Sequence, residues 1–171
     1  PISLYERIWD HRSASEVARE RGDRPAALRL LLDARDPGGA RLLLTQILQE
    51  PRPGELPVVA ALCEGRRLLL EASLAREALG ELPAALTLAQ RAQLPLRVAT
   101  LAERLGDHRQ AALAYQEVLR GDEGAGQVAA QEERLSAHLG LARALQRFSR
   151  HEDAARHLQQ ALQLVPASSA A

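Results

Sequence analysis

Apolar residues recur every three or four positions along most of this chain, in runs cut at short intervals by Gly, Pro or Asp. That spacing puts the apolar side chains on one face of an α-helix. Three glycine-centred segments share a layout: ERGDRPAALRLLLDA from Glu20, ALGELPAALTLAQRA from Ala78 and RLGDHRQAALAYQEV from Arg104. In each, a glycine closes one helix, and the next helix presents Ala five residues later, as Ala27, Ala85 and Ala111. Such a layout describes a repeating helical hairpin, in which each unit leaves an apolar face for its neighbour to cover.

Turn and cap residues then set the boundaries. Ile2 to Asp10 reads as a short helix with Tyr5, Ile8 and Trp9 on one side. Ser13 is the expected N-cap of the next helix, with Glu16 at capping-box spacing, and that helix runs to Arg21. Asp23 caps a helix over 26–34 with Pro25 in its first turn. DPGG at 36–39 reads as a breaker, 40–49 as a helix, and PRPG at 51–54 as its end. An apolar-periodic stretch covers 57–79, with Gly65 inside it either costing about 1 kcal/mol against Ala or marking a break. Further helices are expected over 83–92, 95–105 and 109–119, the last capped by Asp107. After a GDEGAG loop at 121–126 come a long helix over 127–148 and a closing one over 152–164, with a frayed tail at 167–171. The predicted class is all-α: stacked antiparallel helix pairs at 13–35, 57–93, 95–120 and 127–165, in one domain over 1–166. They form an irregular α-solenoid with 38–56 outside the repeat.

The last unit carries Leu141 and Ala142 as a large-small pair, then Ala154, Leu158, Ala161 and Pro166. The unit around Gly106 carries Ala99, Ala111 and Tyr115; weaker sets surround Gly80 (Ala85, Ala92) and Gly22 (Ala27, Leu31, Ala34). At these spacings the chain resembles the tetratricopeptide repeat, a helix-turn-helix unit of about 34 residues. Its turn positions 22, 80, 106 and 149 are 58, 26 and 43 residues apart, so the period is irregular. The long helix from Gln127 looks like the stretched repeats in helical arrays of signal-transduction ATPase regulators. What the resemblance implies is a binding surface on the concave face, lined by the first helix of each pair. Mapped here, that face holds Arg67, Leu70, Leu74 and Glu77, then Leu96, Thr100, Glu103 and Arg104, then Arg143, Gln146 and Arg147. Arg143 and Arg147 are four residues apart and share a helix face, where they can clamp a carboxylate or an acidic peptide.

Composition narrows the chemistry. Ala and Leu occur 32 times each among 171 residues, and aromatics make up 2%. All 22 cations are Arg, balanced by 22 Asp and Glu. Balanced charge argues against a nucleic-acid footprint, and without Lys there is no Walker loop, Schiff base or kinase-type lysine. Cys63, the only cysteine, allows no internal disulfide and sits in an apolar run as a small buried thiol. HEDAARH at 151–157 spaces its two His six residues apart, roughly 120° around a helix, so one face cannot hold both. No catalytic, metal or cofactor residue is assigned. No apolar run approaches a membrane span, and Glu6, Arg7 and Asp10 exclude a signal-peptide core. A chain opening on Pro rather than Met reads as processed or partial. The expected function is a non-enzymatic, cytoplasmic scaffold or adaptor that binds a peptide or protein partner. The alternative is a sensing or partner-binding segment of a larger bacterial signalling or transcription regulator. Tyr5, Ile8 and Trp9 either cap the first hairpin or pair with a second copy of the chain.

Overall fold

The computed structural model describes residues 10–121 and 127–165. Among them are ten α-helices and no strand: α1 His11–Glu20, α2 Arg24–Asp33, α3 Pro37–Gln49, α4 Glu55–Gly65, α5 Leu69–Ala78, α6 Leu82–Arg91, α7 Pro95–Arg104, α8 His108–Arg120, α9 Gln127–Arg147 and α10 His151–Leu164. The expected aromatic helix up to residue 9, the expected loop over 122–126 and the expected tail lie outside the described residues. The chain divides into two compact units between Ala85 and Leu86.

One three-residue turn recurs throughout. Its middle residue has positive φ, between 54° and 79°, at Gly22, Arg35, Arg67, Gly80, Gln93, Gly106 and Ser149. In each case that residue donates its N–H to the carbonyl three back, and the next N–H reaches five back. Asp23 N to Ala18 O at 3.0 Å and Asp107 N to Ala102 O at 2.9 Å are examples. This closure satisfies carbonyls left open at a helix C-terminus. Where the last of these residues is Asp23, Asp36 or Asp107, its carboxylate also caps the following helix. Helices α1, α2, α5, α6 and α7 are each 10 residues long. With the turn, the step is therefore 13 residues from 22 to 35 and again between 67, 80, 93 and 106. Two steps span 26 residues, against about 34 in the tetratricopeptide unit.

Glycine marks only three of these turns. At Arg35, Arg67, Gln93 and Ser149 an ordinary L-residue takes the left-handed conformation, at a cost of about 1 kcal/mol that two backbone hydrogen bonds offset. The 57–79 stretch consequently divides: α4 ends at Gly65, and Arg67 lies in the turn before α5 instead of on a helix face. Two other expectations are corrected. Ser13 lies inside α1, and its N–H donates to the Asp10 carboxylate at 3.1 Å, so Asp10 is the cap. DPGG opens α3, because Asp36 accepts from Gly39 N at 2.9 Å and Pro37 takes a first-turn position where no N–H is needed.

In the first unit, α1 pairs with α2 and α4 with α5, while α3 packs on α2, α4 and α5, and α2 reaches α4. Ala14, Ala18, Leu30, Ile47, Val59 and Ala60 have no exposed surface. Cys63 joins them, and burial pushes its thiol up to about 11, which leaves it an unreactive packing group. A polar clamp ties α2 to α4. The Arg24 guanidinium donates through Nε to Glu55 Oε1 at 2.9 Å, with Nη2 also bonding Glu55 Oε2. The Arg52 backbone N–H donates to the same carboxylate at 3.0 Å, and Arg24 Nη2 reaches Glu50 O at 2.8 Å. Arg24 beside it holds the Glu55 carboxyl below the usual carboxylate range.

The second unit stacks α7 on α8, α8 on α9 and α9 on α10, with α7 also touching α9. Ala99, Ala102, Ala111, Ala114, Ala137 and Ala154 line its core beside Leu141, Leu145 and Tyr115. Methyl groups at these crossings let the helix axes approach to roughly 8–10 Å.

Candidate functional site

Pro95 at the start of α7 and Asp107 before α8, whose carboxylate accepts from Gln110 N at 2.9 Å, fix the α7–α8 hairpin. From the end of α7 Glu103 projects half-buried, and from the middle of α8 Tyr115 points inward at 1% exposure. The Tyr115 ring lies flat against α9 at Gly140. A Cβ added there would fall 2.1 Å from Tyr115 Cζ, so only glycine admits the ring.

Four residues then interlock. Tyr115 Oη donates to Glu103 Oε2 at 2.8 Å. Arg143, one turn past Gly140 on α9, grips the same carboxylate with both arms: Nε to Oε1 at 2.8 Å and Nη2 to Oε2 at 3.1 Å. The Arg143 fork, with help from the tyrosine hydroxyl, holds the Glu103 carboxyl below the usual range. Burial, reinforced by the Glu103 carboxylate, pushes the Tyr115 phenol up to about 12. At neutral pH the phenol is therefore protonated and donating, and the carboxylate ionised and accepting.

Beside this cluster is an open depression of roughly 500 Å³, lined by Glu103, His108, Arg143, Gln146 and Arg147. Arg143 and Arg147 share the face expected of them, but their situations differ. The Arg143 fork already holds an internal carboxylate, whereas Arg147 makes no hydrogen bond or ion pair among the described residues. The clamp expected of two arginines is thus formed by one of them on the chain's own Glu103.

Seven of the eleven candidate residues lie in the second unit and four in the first. Glu103, Arg143, Gln146 and Arg147 come together at the depression. Leu96 is half-buried and packs on the core, Thr100 is exposed with its hydroxyl donating to Arg97 O at 3.0 Å, and Arg104 is exposed at the end of α7. In the first unit, Arg67 occupies its turn, Leu70 is 42% exposed on α5, and Leu74 and Glu77 are half-buried there. Sequence reasoning did not assign His108, Tyr115 or Gly140 to this site. A glycine in the interior of a 21-residue helix was the available signal, since such a glycine marks close backbone approach.

In HEDAARH, His151 is exposed while His157 turns toward His138 on α9. No group of three or more His, Cys, Asp or Glu able to hold a metal occurs among the described residues. Nor is any described helix long and apolar enough to cross a membrane. Comparison with protein-family models, curated proteins and solved structures finds no match to this chain.

Proposed function

We propose that this chain is a non-enzymatic scaffold of the tetratricopeptide-like kind, and that it docks an acidic segment of a protein partner at the Arg147 depression. One observation carries the reading. Glu103 and Arg143 neutralise each other, so the net charge offered by the depression is that of Arg147, set beside Gln146 and His108 on a pre-built wall. A guanidinium that is free to bind, on a helix held in place by Tyr115 and Glu103, gives up little further freedom on meeting a carboxylate. Helix pairs that pack on the next helix and the next but one also suit a stacked array with an extended surface.

Binding of acidic, neutral and basic fluorescent peptides to the purified chain tests this by anisotropy. Acidic peptides should bind best, and Arg147→Glu should weaken them about tenfold or more, as expected for loss of a charge-assisted hydrogen bond. Circular dichroism should stay unchanged, because Arg147 is exposed and makes no hydrogen bond or ion pair among the described residues. Equal binding by wild type and variant would remove the depression from the function.

A further inference from the structure

His138 on α9 and His157 on α10 face each other with their Nδ1 atoms 3.0 Å apart. Their ring centroids are separated by 5.3 Å, which is 2.3 Å more than the nitrogens, with the planes tilted by 33°. That excess is about the sum of the two nitrogen-to-centre radii of imidazole, so the nitrogens meet end-on. One ring must then donate Nδ1–H to the lone pair of the other. A metal ion would impose a different geometry. A tetrahedral ion about 2.0–2.1 Å from both nitrogens would hold them about 3.3 Å apart, farther than the 3.0 Å found here.

We propose that His138 and His157 form a proton-sharing latch that holds α10 on α9 at neutral pH and releases it on acidification. His138 is 9% exposed, so its polar edge needs the partner. A first proton can enter at the outer nitrogen of the donor ring and leave the bond in place. A second must take the accepting lone pair, leaving two N–H groups and two positive charges face to face. The charged groups acting on the pair are Arg134 on α9 and Arg156 and Asp153 on α10; none belongs to α8. Burial is the main cause that holds both imidazoles below the ordinary histidine range, with His157 adding to the effect on His138. Against it, a hydrogen bond to Gln160 and the charge of Asp153 favour protonation of His157. Because the folded values are lowered, the latch contributes fully above the unfolded histidine value and is lost as pH falls through the folded ones.

Urea unfolding of the full chain between pH 5 and pH 7.5 tests the latch, comparing wild type with His157→Asn. The asparagine amide stands where Nδ1 stands, does not titrate, and matches histidine in helix propensity. The wild-type unfolding constant should rise on acidification more steeply than that of the variant, by up to tenfold per pH unit for each extra proton. Equal pH slopes would overturn the proposal. Should the variant fail to fold, nitrogen NMR of the wild-type imidazoles decides: one Nδ1 protonated and one not at neutral pH supports the latch, and two alike refutes it. Zinc added to the wild type should leave the unfolding midpoint in place, and a rise would assign the pair to a metal instead.

Discussion

Glu55 in the first unit and Glu103 in the second are both gripped by an arginine fork, and each ties a helix to the next but one, α2 to α4 and α7 to α9. Their surroundings differ. The side chains of Glu55 and Arg24 are 9% and 13% exposed, whereas those of Glu103 and Arg143 are 28% and 58% exposed. Glu55 adds a backbone N–H from Arg52, so its carboxylate is enclosed by the helix ends it joins. Glu103 takes a tyrosine hydroxyl on its inner side and opens on its outer side to the depression. One motif thus serves two purposes: the enclosed clamp stabilises the packing of helix ends, and the open one builds a wall beside Arg147, a cation with no ion-pair partner among the described residues.

That contrast sets the largest expected effect. Glu55→Ala strands a buried guanidinium and should lower unfolding free energy by about 2–3 kcal/mol, while Glu103→Ala should cost about 1 kcal/mol because water can replace the lost partner. Urea denaturation of both variants checks this, and equal losses would erase the distinction. The depressed Glu55 carboxyl adds a pH signature. Its contribution is complete above the ordinary glutamate range near pH 4.5 and fades as pH falls through the lowered value, a loss that Glu55→Gln should abolish.

Next in size is a pair of identical substitutions with opposite signs. Gly140→Ala gains helix propensity but drives a methyl group into the Tyr115 ring, for a net loss of about 1–2 kcal/mol. Gly65→Ala meets nothing within 4 Å at the end of α4 and should gain about 0.5 kcal/mol. Thermal melts of the two variants should move in opposite directions.

The turns give a third pair, in which neither effect exceeds about 1 kcal/mol. Arg67→Gly in the first unit should stabilise by about 0.5–1 kcal/mol, and Gly106→Ala in the second should destabilise by about 1 kcal/mol. No atom lies within 4 Å of a Cβ at Gly106, so the loss there reports backbone conformation alone. If both variants matched wild type in chemical denaturation, the shared turn would carry no conformational strain.

Helix type and most boundaries were legible because apolar periodicity, Asp caps and Pro starts are local signals. The alanines five residues after turns 22, 80, 106 and 149, which are Ala27, Ala85, Ala111 and Ala154, are buried to 2% exposure or less. The hidden part was the regular step. On the sequence alone, only the turns at 22, 80, 106 and 149 count as equivalent, so those at Arg35, Arg67 and Gln93 fall outside the series and the spacing looks irregular. The alanine five residues on was the better signal: Ala40 follows Arg35 and Ala72 follows Arg67, both at 5% exposure or less, and only Val98 after Gln93 departs from it. Arg143 and Arg147 could be paired from a helix-face argument, while Glu103 and Gln146 were grouped with them by the resemblance alone. That Arg143 would be occupied by Glu103, 40 residues away in sequence, could not be read from local spacing, because it depends on how closely α7, α8 and α9 approach around Gly140.

The 13-residue step also limits how such a chain can change length. Within each unit the turn joins helices that pack on each other, α1 on α2, α4 on α5, α7 on α8 and α9 on α10, so inserting or deleting one helix with its turn would send the next helix of that unit in the opposite direction. Two steps added inside one unit restore the heading, which makes 26 residues the smallest change in length that leaves the later helices of that unit with their polarity.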